Sequence, residues 1–143
     1  MNLSEISSKA LKAKASTGNI TINKVEAEET VNVEASTGNI RFIEVTSKDL
    51  DVKTSTGGIT FTSSVITNHI NAKASTGNVR FEDSDADTLT IKTSTGDVKG
   101  TLLTSKIFSV RTDTGKIKVP TNTVGGLCEI TTDTGDIEIS IKG

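Results

Sequence analysis

Thr-Gly recurs seven times along this chain, with the glycine at Gly18, Gly38, Gly57, Gly77, Gly96, Gly115 and Gly135. The intervals are 20, 19, 20, 19, 19 and 20 residues. So constant a period over nearly the whole length demands an architecture in which each unit leans on its neighbours. The likeness extends beyond the dipeptide, as in "LKAKASTGNITI", "VNVEASTGNIRF", "INAKASTGNVRF" and "CEITTDTGDIEI".

Within every copy apolar and polar residues alternate. Two residues after each glycine stand Ile20, Ile40, Ile59, Val79, Val98, Ile117 and Ile137. Five before it stand Ala13, Val33, Val52, Ala72, Ile91, Val110 and Ile130. A period of two means strands with one buried and one wet face. Each repeat therefore reads as strand, Ser-Thr-Gly corner, strand and variable turn. One such pair of strands cannot bury its apolar face, but a stack of them can. The pattern predicts an all-β, single-domain parallel β-helix (β-solenoid) of about seven coils, with 19–20 residues per coil. The period is too short for a β-propeller, and the Leu and Asn ladder of a leucine-rich repeat is not evident. Composition fits a narrow core of β-branched residues: 33% of the chain is hydrophobic, with no Trp, no Tyr and four Phe.

Several chemical readings fail against the repeat. Asp113 and Asp133 each belong to an Asp-Thr-Gly, the tripeptide of aspartic proteases, but they occupy the slot filled elsewhere by Ser16, Ser36, Ser55, Ser75 and Ser94. They are expected to be turn residues in a column, not a dyad sharing a proton. The lone His69 lacks partners at metal-ligand spacing. Cys128 takes a slot of Leu and Phe, which predicts a buried, inert thiol. The acidic turn Asp83, Asp85 and Asp87 lacks the glycine-rich signature of calcium-binding β-rolls. The Thr-x-Thr pairs at the corners are interrupted by Ala15, Ala35 and Ala74, which points to a hydrogen-bonding ladder and away from an ice-binding plane. No catalytic residue, metal or cofactor is expected. A net charge of −2 argues against nucleic-acid binding.

Two sets of cations remain. Lys14, Lys53, Lys73, Lys92 and Arg111 fall four residues before the glycine, and Arg41, Arg80, Lys99 and Lys118 fall three after it. Stacking would turn them into two basic columns. These columns would either guard exposed strands or attract a protein, an anionic polymer or a membrane surface. Residues 1–10 are expected to form a partial first coil or an N-terminal cap. The strand at the C-terminal end, "IEISIKG", has no polar cap after it, which predicts an uncapped or truncated end able to pair with another molecule. That raises an alternative role as an interaction module forming homo-oligomers through its end coils.

The recurring "ASTGNI", "TSTGDV" and "TDTGDI" motifs over residues 10–141 resemble a bacterial β-strand-repeat family catalogued as an adhesin of unknown function. The resemblance implies a non-enzymatic β-solenoid domain of the cell envelope or extracellular space. Some relatives in Gram-positive bacteria belong to envelope-stress systems responding to membrane-active antibiotics. Members commonly carry an N-terminal helical or membrane segment, and this chain shows neither such a segment nor a signal peptide.

Overall fold

The computed structural model describes residues 2–103, 106–119 and 125–141; the first residue, residues 104–105 and 120–124 of the variable turns, and the final two lie outside this description. Among the described residues there are twelve strands: β1 (Asn2–Thr17), β2 (Ile20–Thr37), β3 (Ile40–Ile43), β4 (Thr46–Thr56), β5 (Ile59–Thr62), β6 (Val65–Thr76), β7 (Val79–Thr95), β8 (Val98–Leu102), β9 (Lys106–Thr114), β10 (Ile117–Lys118), β11 (Gly126–Thr134) and β12 (Ile137–Ile141). Every pairing between them is parallel. The chain winds as a β-solenoid of about six turns, with equivalent residues of successive coils in register. Residues at the start of β1 pair with β2 from Asn2↔Thr21 onward, so they are part of the first coil.

The alternation read from the sequence is the burial pattern. Ile20, Ile40, Ile59, Val79, Val98 and Ile137 form one fully enclosed column. Beside it Phe42, Phe61 and Phe81 pile face to face, with successive centroids 4.9 Å apart and planes within 7°. That distance follows the spacing between coils and lies in the range usual for stacked rings. The pile ends at Gly100, because a Cβ there would lie 2.4 Å from the Phe81 carbonyl oxygen.

Three bends recur along the first five repeats. At the Ser-Thr-Gly corner the glycine has positive φ, +151° at Gly77, and a Cβ there would stand 2.0 Å from the Gly57 carbonyl oxygen. Only glycine meets both demands. The second bend was expected to be irregular, since its side chains share no motif. Its backbone is nonetheless shared: Glu5, Lys24, Glu44, Ser63 and Asp83 all adopt left-handed φ between 48° and 52°. Buried hydroxyls support two of these bends, as the Val45 amide donates to Ser64 Oγ (3.3 Å) and the Ser64 amide to Ser84 Oγ (3.2 Å). The third bend is marked by register shifts at Glu26/Thr30, Ser47/Asp49 and Ile66/His69.

The stack departs from chain order at one end. The first five repeats follow one another, but β11 lies between β7 and β9, and β12 lies between β8 and β10. The seventh repeat is thus inserted between the fifth and the sixth. Backbone bonds confirm the order: the Gly96 amide donates to Thr134 and the Gly135 amide to Thr114, at 2.9 and 2.8 Å. The last strand, expected to be the uncapped end, is therefore paired on both sides, and β9 with β10 forms the end of the stack. Lys106 holds this arrangement. Its ammonium meets Asp85 at 2.9 Å with only 3% of the side chain exposed. The intervening layer contributes Gly126 beside Asp87 and Cys128, whose thiol is pushed up to about 12 by burial, an effect Lys106 opposes and Asp85 reinforces. Cys128 is fully buried, as its slot predicted.

Candidate binding faces

Register places each outward residue. Four positions before the glycine, the column runs Lys14, Glu34, Lys53, Lys73, Lys92, Thr131 and Arg111. The expected basic column is thus broken twice. Glu34 interrupts it after Lys14, and insertion of the seventh repeat places Thr131 between Lys92 and Arg111. Lys53, Lys73 and Lys92 remain contiguous and exposed, in the middle of the stack. A shallow groove of about 190 Å³ runs beside them, floored by Thr54 and Ala74 and edged by Ser75 and Ser94.

The second column, three positions after the glycine, runs Thr21, Arg41, Thr60, Arg80, Lys99, Glu138 and Lys118. It is mixed: Thr60 separates the arginines, and Glu138 separates Lys99 from Lys118. All four cations are exposed.

Asp113 and Asp133 are neighbours in adjacent layers, both exposed, at the rim of an open groove. His69 is half-buried in the third bend, in register with Asp49 and Thr88. The interrupted threonine rank is a hydrogen-bonding ladder, as expected. Thr93, Thr132 and Thr112 each donate to the corner glycine carbonyl of the layer before, at 3.2, 3.1 and 2.9 Å.

A second ladder escaped the sequence reading. The residue after each corner glycine is Asn19, Asn39, Gly58, Asn78, Asp97, Asp136 and Lys116 in stack order. Its Oδ1 accepts the amide of the next layer: Asn19 from Asn39 (3.0 Å), Asn39 from Gly58 (2.8 Å), Asn78 from Asp97 (2.9 Å), Asp97 from Asp136 (2.8 Å) and Asp136 from Lys116 (2.9 Å). The signal was in plain view as an Asn or Asp following the glycine. It is not the ladder of a leucine-rich repeat, whose period is similar but whose leucine pattern is lacking.

An all-parallel solenoid with glycine corners, internal ladders and charged outer faces defines a repeat scaffold. The chain belongs to the Toastrack DUF4097 family, which it matches over residues 1–143. That is a domain family of unknown function, and nothing in its description designates an adhesin. No curated protein and no solved structure matches the chain. Among the described residues, no helix is long and apolar enough to cross a membrane.

Proposed function

We propose that this domain is a non-enzymatic scaffold of the bacterial cell envelope that presents a rigid cationic face to an anionic polymer. The observation that carries the reading is the contiguous Lys53–Lys73–Lys92 strip. Coils in a parallel stack are about 4.8 Å apart, so three like charges rooted at that spacing repel one another. Protection of sheet edges accounts for lysines at the ends of a stack, but these lie in its middle layers. A linear polyanion laid along the axis would relieve the repulsion and release counterions on binding.

Assembly through the end coils is the competing reading. In its favour, Ile117 at the β9–β10 end is 45% exposed and Ile107 is 41% exposed. Against it, both ends are basic. One carries Lys9, Lys12 and Lys14 with Glu5, and the other Arg111, Lys116 and Lys118 with Asp113. Stacking end on end would set Lys14 against Arg111, which opposes association.

The test is cosedimentation with a poly(glycerol phosphate) at graded salt. Binding is expected to weaken as salt rises and to fall at least tenfold in the Lys53→Glu, Lys73→Glu, Lys92→Glu variant. Unchanged binding by that variant would sink the reading. Preference for anionic vesicles over the polymer would redirect it to a membrane surface.

A further inference from the structure

The asparagine ladder has one missing rung among the described residues, and we infer that the gap is a phosphate-binding notch. Position 58 is glycine where the equivalent layers carry Asn39 and Asn78. The Gly58 amide is served by Asn39 Oδ1 at 2.8 Å, but no side chain at 58 offers an oxygen to the amide of Asn78, the next layer up. Elsewhere that place is filled by a carbonyl or carboxylate oxygen, so the amide presents a donor where the fold ordinarily seats an acceptor.

The surroundings suit an oxyanion. The notch encloses about 320 Å³ and is lined by Arg41, Thr60, Asn78, Arg80 and Lys99. Arg41 and Arg80 flank Thr60 in register, one layer to either side, so two arginines line the notch with a short hydroxyl side chain between them. Asp97, which also lines the notch, accepts the Asp136 amide at 2.8 Å, and Lys99 follows two residues later in β8. A backbone amide, a threonine hydroxyl and arginine forks are the donors that recognise a tetrahedral phosphate. This face is distinct from the lysine strip, so the notch does not depend on the proposed function; a phosphodiester polymer could reach it along the axis, and free phosphate could also enter.

The neighbouring layers supply the decisive variant. Gly58 does not have a left-handed φ, and a Cβ there would meet the Asn78 carbonyl oxygen at 3.2 Å and Asn39 Oδ1 at 3.6 Å. Gly58→Asn should therefore complete the ladder and place its own oxygen on the Asn78 amide. Inorganic phosphate, then poly(glycerol phosphate), is titrated at fixed ionic strength while backbone amide resonances are followed. In the unaltered protein the Asn78 amide should shift saturably. Gly58→Asn should abolish the shift while keeping the folded spectrum, and Arg80→Ala should weaken it at least fivefold. Saturation by the polymer alone would assign the site to a phosphodiester; saturation by both, to any phosphate. An Asn78 amide that does not saturate with either ligand, or a Gly58→Asn protein that binds like the original, overturns the notch. The Lys53, Lys73, Lys92 charge-reversed protein should retain it, which separates its failure from that of the lysine strip.

Discussion

The first five repeats and the last two are built from the same motif, yet they are held together differently. In the first five, chain order and stack order coincide. The layers are locked by ladders of repeated partners: phenylalanine on phenylalanine in the second to fourth, and an asparagine oxygen on the next amide everywhere but above Gly58. In the last two the chain passes over a layer and returns; the aromatic pile has already ended at Gly100 of the fifth repeat, and Ile139 of the inserted repeat stands over it. There the order depends on a buried ion pair between Lys106 and Asp85 that spans the inserted repeat. Homotypic ladders make a stack self-propagating, whereas a long-range pair can specify one order among several. Burial of such a pair is better evidence for specificity than for stability.

The contrast can be broken most severely at the corners. Gly77→Val forces a side chain against the Gly57 carbonyl in the middle of the regular region, and it should abolish cooperative thermal unfolding, a loss exceeding about 5 kcal/mol. Gly18→Ala, where no atom lies within 4 Å of a Cβ, should cost only about 1–2 kcal/mol of backbone strain. Phe61→Ala removes the middle ring of the pile and should lower stability by about 3–5 kcal/mol in denaturant titration. In the reordered region, Lys106→Met leaves Asp85 without its cation and should cost about 3 kcal/mol, with amide exchange rising in β9 before the first five repeats; adding Asp85→Leu should restore most of the loss. The smallest effect concerns pH. The Cys128 thiol is raised from 9.0 to about 12 in the fold, so above pH 9 the unfolded chain loses its proton while the native one keeps it. Stability should then decline by up to about 1.4 kcal/mol per pH unit, and Cys128→Val should remove that part of the decline.

Much of this was legible. The spacing of the glycines gave the coil, and the alternation of Ile and Val with Lys, Thr and Glu gave the inner and outer faces. The order of the last two repeats was not legible, for a physical reason. Cys128 pairs with both Leu89 and Phe108, and Ile130 with both Ile91 and Val110. The seventh repeat therefore fits the fifth and the sixth in the same register, and periodicity does not say which order the layers take. What distinguishes them is a lysine that reaches past a glycine-bearing layer, which no local window reveals. The second bend misled in the opposite sense: Lys24, Glu44, Ser63 and Asp83 share a backbone conformation without sharing chemistry. The breaks in the first basic column have two sources: Glu34 holds the column position in the second repeat, and the inserted repeat sets Thr131 between Lys92 and Arg111. The notch at Gly58 stayed hidden because one glycine among many carries no signal until the ladder it interrupts is recognised.

The inserted repeat also determines how the domain answers to force. Tension applied through β1 meets a neighbour on one side alone and can peel the first coil away bond by bond. The same tension on β12 must shear it from β8 and β10 together, and β9 has to lift before the tail comes free. A molecule anchored by that end would therefore yield from the opposite one.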